Sequence, residues 1–193
     1  MREYDLITWI LNDDYLCNED EENVMVENQG DEHTEQRVRI VNKVHAISRM
    51  SLYRFDEKKT GKDFLPFFND KYGLTKVHAP RELRSFCDYI LLVECRDSLY
   101  VMLIELKRGG HSGYKKQIEG SVSFMDYIIS SAVRIQHENA FNDFNKANIH
   151  YRKILLKKCE SDKGETHNVD LNFDKNDFIE IRCMSEFRPI RVI

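Results

Sequence analysis

The 193-residue sequence predicts an α/β fold, a mixed β-sheet flanked by helices. Three observations carry that expectation. Residues 87–95 and 98–107 read as two apolar strands on either side of the polar pair Arg96-Asp97, the pattern of a hairpin with a two-residue loop. Ile118, Val122, Met125 and Ile129 recur at steps of three and four, which is the period of one helix stripe. Two later segments read as strands: 149–158, centred on Ile154-Leu155-Leu156, and 178–184, which alternates apolar with charged residues.

The remaining elements follow in chain order. Residues 4–16 read as an amphipathic helix with Leu6, Trp9 and Ile10 on one side. A polar, acidic stretch at 18–22 leads to the apolar island Val24-Met25-Val26, and 28–35 is polar again. Residues 37–50 place Val38, Val41, Val44 or His45, and Ile47 or Ser48 at helical spacing, so a helix is expected there. Residues 51–55 are too short to assign. Thr60-Gly61-Lys62-Asp63 reads as a turn with a helix cap, and aromatic-rich 64–72 as core packing despite Pro66. Residues 73–84, with Pro80, connect into the hairpin. The helix at 112–132 extends or restarts towards His137, and 139–148 and 160–168 are polar loops.

Length and composition bound the function classes. The chain suits one well-buried domain, and with 41% hydrophobic and 32% charged residues it is globular. No run is long enough to cross a bilayer, and residues 1–5 lack a basic region followed by an apolar core, so neither membrane nor secretory signal is expected. The five cysteines are odd in number and form no C-x-x-C pair; Cys87 and Cys95 sit in apolar strands as small hydrophobes. That usage fits a reducing, cytoplasmic location and argues against a zinc ribbon. The seven histidines show no ligand spacing, and His111 reads as an ordinary loop residue.

The net charge of −4 conceals a division. Residues 1–36 hold twelve acidic residues and one basic residue, a balance of −11, while 37–193 carry 28 basic and 21 acidic residues, a balance of +7. We therefore expect an acidic N-terminal helical extension over 1–36 and a single domain over 37–193. The extension either covers the basic surface, docks a basic protein partner or another copy of the chain, or simply packs on the domain through Trp9.

The hairpin carries the chemistry. With a two-residue loop Cys95 faces Ser98, and counting back along both strands sets Asp88 opposite Glu105. Lys107, two residues on, shares the face of Glu105. Opposed carboxylates destabilise a sheet, and a divalent cation between them reverses that sign. The alternative is a salt bridge on a solvated strand face. Against it, Leu91-Leu92-Val93 and residues 101–104 suggest strands buried on both faces, where unpaired charge is costly. Glu94 reads as a surface charge near the turn.

Asp88, then Glu105-Leu106-Lys107 after a hairpin, resembles the PD-(D/E)xK nuclease superfamily, over roughly residues 86–129. Cys87 stands where such nucleases frequently carry Pro. The resemblance implies a restriction-endonuclease-like fold and hydrolysis of phosphodiester bonds with Mg²⁺ or Mn²⁺, of DNA in preference to RNA and as an endonuclease, in defence against foreign DNA or in repair. It implies Asp88, Glu105 and the Leu106 carbonyl as metal ligands, and Lys107 as a group that positions water or stabilises charge. Gln117, on the following helix, matches a Gln that similar nucleases place near the site; otherwise it is a solvated surface residue. Arg108, Lys115 and Lys116 are candidates for flanking phosphates, with Lys153, Lys157 and Lys158 as a second basic group. Glu57 and Glu82 are candidates for an additional acidic ligand. The alternative function is a catalytically inactive nuclease fold that binds nucleic acid or protein.

Overall fold

In the computed structural model the described residues are 3–17, 24–28, 35–41, 45–54, 86–107, 113–139, 144–158, 172–173, 178–183, 186–189 and 192–193. Among them the fold is α/β with mixed sheets and two α-helices. The strands are β1 Val24–Asn28, β2 Glu35–Ile40, β3 Ile47–Arg54, β4 Tyr89–Cys95, β5 Ser98–Lys107, β6 Ile149–Lys158, β7 Asn172–Phe173, β8 Phe178–Cys183 and β9 Glu186–Phe187. The helices are α1 Glu3–Ile10 and α2 Tyr114–Asn139. A six-stranded sheet runs β3-β4-β5-β6-β8-β7, and a three-stranded sheet runs β1-β2-β9. Strands β3 to β5 are antiparallel neighbours, whereas β5, β6 and β8 are parallel.

Alternation along the large sheet divides the core in two. Leu91, Val93, Met102, Ile104, Leu106, Ile154 and Leu156 turn to one face and pack with Met25, Val38, Ile40 and Phe187 of the small sheet. Ile90, Leu92, Leu99, Val101 and Leu103 turn to the other and pack with Leu6 and Ile7 of α1 and Ile118, Met125 and Ile129 of α2. Coverage on both faces explains why β4 and β5 are nearly continuous apolar runs. Each fully buried Leu or Ile contributes roughly 1.5–3 kcal/mol.

The hairpin forms with the two-residue loop: Cys95 pairs with Ser98, and the ladder runs to Tyr89 and Ile104. Arg96 takes the left-handed φ of 55° that a primed hairpin turn requires at its first position.

The helix expected over 37–50 is absent from the described residues there, 37–41 and 45–50. These contribute to β2 and β3, because Val38 and Ile40 alternate inward around exposed Arg39 and cover the back of the large sheet. Residues 51–54 complete β3, and the island at Val24 is β1. The first helix ends at Ile10, and a 3₁₀ turn at Asp13–Tyr15 follows, capped by the Asn12 side chain. It packs through Tyr4, Leu6, Ile7 and Leu11, while Trp9 is 66% exposed, so the indole is not the contact expected of it. The boundary expected between residues 36 and 37 falls inside β2, and α1 and β1 both feed the cores. The second helix begins two residues later than expected and extends to Asn139. The turn at 60–63, the aromatic stretch 64–72, the connector 73–84 and the loop 160–168 lie outside the described residues. Among the described residues no helix is long and apolar enough to cross a membrane.

Glu94 is a buried structural acid, not the surface charge expected from its place near the turn. It is 8% exposed and accepts from Arg49 Nε at 2.8 Å, Arg49 Nη2 at 2.9 Å and Ser48 Oγ at 2.7 Å. Arg49 also pairs with Asp5 of α1 and lies 4.4 Å from the centroid of the Tyr4 ring. The guanidinium thus ties the first helix to β3 and β4. Replacing Glu94 by Ala leaves Arg49 with Asp5 alone and removes an acceptor from Ser48. The expected loss of unfolding free energy, read by urea denaturation, is about 1–3 kcal/mol.

Candidate functional site

The open end of the hairpin gathers a different set of charges. Asp88 precedes β4 by one residue, and two hydrogen bonds carry the pairing a step further: Asp88 N–H donates to Glu105 Oε2 at 3.2 Å, and Leu106 N–H donates to Asp88 Oδ2 at 2.7 Å. Glu105 has no solvent exposure. Lys107 Nζ lies 2.5 Å from Glu105 Oε1, with a side chain 24% exposed. Beyond this ion pair, Glu105 Oε1 is the one buried side-chain oxygen among the described residues for which the structure records no hydrogen bond.

That environment perturbs the acid. Burial, then the neighbouring Asp88 charge, push the Glu105 carboxyl up to about 8, against the opposing pull of Lys107. The cost of ionising it is therefore borne in the folded protein, as at sites built for chemistry.

Helix α2 holds Asp88 from the other side. Ser121 is fully buried; its Oγ accepts from Cys87 N–H at 2.8 Å and donates to the Gln117 carbonyl at 3.2 Å. Phe86 and Phe124 meet edge to face at 5.6 Å. The residues on both sides of Asp88 are thus pinned, one to the helix and one to the strand ladder. Ser121 was not singled out in the sequence; a small polar residue on the inner stripe of an amphipathic helix was its only signal. Cys87 is buried and its thiol is pushed up to about 12 by desolvation, consistent with a packing role.

The other candidates are distributed as follows. Gln117 is half-buried, one turn before Ser121, and among the described residues its side chain makes no hydrogen bond to Asp88, Glu105 or Lys107. Lys115 is half-buried, 5.4 Å from the Phe178 ring centroid, and Lys116 is exposed. Lys153 pairs with Glu119 at 2.7 Å. Lys157 pairs with Glu180. Arg108, His111, Glu57 and Glu82 lie outside the described residues, as does the side chain of Lys158.

Among the described residues no three His, Cys, Asp or Glu side chains converge as a metal nest. Asp88 and Glu105 with the Leu106 carbonyl make a smaller, all-oxygen donor set. Such a set suits a hard cation that retains water and phosphate ligands, and such an ion would have to share Glu105 Oε1 with the Lys107 ammonium. A concavity of about 380 Å³ lies elsewhere, lined by Glu3, Tyr4, Glu94 and the Arg96-Asp97 turn at the opposite end of the hairpin. It contains none of these groups.

No protein-family model, curated protein or solved structure matches the chain.

The pH dependence has a defined sign. A carboxyl raised from 4.5 to about 8 on folding leaves the folded state holding the extra proton between those values. Metal-free protein therefore loses stability as pH rises through that window and levels off above it, by at most about 5 kcal/mol in total. Glu105→Gln flattens the curve. Urea midpoints from pH 5 to 9 in chelator check this.

Proposed function

We propose that this chain is a Mg²⁺- or Mn²⁺-dependent nuclease that hydrolyses phosphodiester bonds, DNA in preference to RNA and as an endonuclease, on a restriction-endonuclease-like fold. The observation that carries the reading is the buried Glu105, set beside Asp88 and Lys107 with one oxygen lacking a hydrogen bond. The βαβ unit β5-α2-β6, entered from an antiparallel hairpin, supports the same reading.

Asp88, Glu105 and the Leu106 carbonyl are the ligands in this proposal. The ion, when bound, neutralises phosphate charge and acidifies a bound water. Lys107 positions the attacking water and stabilises the charge that develops on phosphorus oxygens. A lysine beside two carboxylates keeps its proton, so it does not serve as the base. Gln117, half-buried in the first turn of α2, is the residue this proposal assigns to orienting water or substrate. Cys87 departs from the Pro frequent in similar nucleases, and its N–H bonds Ser121, a contact that Pro cannot make. Defence against foreign DNA or repair are the settings in which such an activity serves.

Plasmid incubated with the protein should be cut with Mg²⁺ or Mn²⁺ and remain intact in EDTA. Glu105→Ala should reduce cutting to background, and Lys107→Ala should lower kcat by about 10²–10³-fold. Both variants should retain a cooperative unfolding transition. Cutting by both at the wild-type rate overturns the assignment. Wild-type protein that binds DNA without cutting it identifies an inactive binding module instead.

A further inference from the structure

The sheet continues the charge pattern one strand beyond the hairpin. Strand β6 lies parallel to β5 with Lys157 in register with Lys107 and Leu155 with Glu105. Strand β8 continues the row, with Glu180 in register with Leu155. In-register neighbours on parallel strands share a face and lie roughly 4.8 Å apart at the backbone. Lys107 and Lys157 are therefore neighbouring lysines near the carboxyl ends of two parallel strands, partly buried at 24% and 16% side-chain exposure respectively. Ligands of open α/β sheets are taken up at that edge.

Two adjacent like charges on one sheet face are destabilising unless something compensates. Here each has its own carboxylate: Glu105 for Lys107, and Glu180 for Lys157 at 2.5 Å. Glu180 is 27% exposed and, unlike Glu105, is not a deeply buried acid, so it serves Lys157 as a counter-ion that solvent or another anion can replace. The two pairs follow one another across the sheet as acid, base, base, acid: Glu105, Lys107, Lys157, Glu180. A single phosphate at Lys107 satisfies one of the two cations, whereas a chain of phosphates satisfies both.

We propose that Lys157 is a substrate-binding residue, which takes the phosphate adjacent to the scissile one, with Glu180 as the counter-ion that the phosphodiester backbone displaces. The inference rests on the nuclease reading and assigns it a substrate: a polynucleotide strand bearing at least two phosphates at the site, not a lone phosphomonoester. Lys157 was grouped in the sequence only with its basic neighbours; the parallel register singles it out from Lys153, which is engaged by Glu119 on the outer side of α2.

The test is steady-state cleavage of a labelled oligonucleotide in Mg²⁺ between 50 and 200 mM NaCl, with the intact chain. Lys157→Gln should raise KM about three- to tenfold, leave kcat within about twofold, and reduce the slope of log(kcat/KM) against log[salt] by about one. Lys157→Arg should restore the slope. Glu180→Gln, which removes the competing anion and keeps the lysine, should lower KM. A purely structural Lys157 would shift the melting temperature but leave the salt slope in place. Wild-type KM and slope in Lys157→Gln, with wild-type protein cutting normally, overturns this assignment alone. Wild-type protein inert with Mg²⁺ and Mn²⁺ overturns the nuclease reading and this assignment with it.

Discussion

The register of one hairpin governs the site. Arg96 and Asp97 form a two-residue loop, so Cys95 faces Ser98 and every later pair is determined. A slip of one residue would exchange the faces of β5. Glu105 would then point into the core beneath the small sheet, where Ile104 and Leu106 now pack, and Asp88 would lose its partner. The reciprocal bonds between Asp88, Glu105 and the Leu106 amide close the far end of the ladder, so the register is pinned at both ends.

The same hairpin buries two glutamates on its helix-facing side and treats them differently. Glu94, near the turn, accepts from both nitrogens of an arginine fork and from a serine hydroxyl, so its burial is compensated within the protein. Glu105, at the open end, retains an oxygen with no hydrogen bond and a carboxyl displaced far above its usual range. A buried acid perturbed in this way is a candidate for function, whereas the compensated Glu94 is a structural device. This contrast separates two residues of one type and one face, and makes the end where the parallel strands finish and α2 begins the candidate site.

Much of this was legible in the residues, and the misses have physical causes. The hairpin, the Ile118–Ile129 stripe and the strand at Ile149–Lys158 carry strong local periodicity over long runs, and each lies where that periodicity puts it. Residues 37–50 failed because Val38 to Ile47 satisfy a helical template by spacing, while tertiary packing against the large sheet selects the period of two at Val38 and Ile40. Glu94 was misplaced because its partner, Arg49, is 45 residues away and on a strand that was not anticipated. Ser121 and the Lys107–Lys157 register depend on contacts between elements, which no local pattern encodes. The charge division between the first 36 residues and the rest stands in the composition, yet α1 and β1 pack into the same cores as the basic remainder.

The central claim is that Asp88 and Glu105 hold a divalent cation. Isothermal titration of Mn²⁺ into the intact protein measures it without recourse to any substrate. The account predicts saturable uptake of one ion per chain, lost in Glu105→Gln and in Asp88→Asn while both variants still unfold cooperatively. Absence of uptake by the wild-type protein, or uptake that both variants retain, would contradict it.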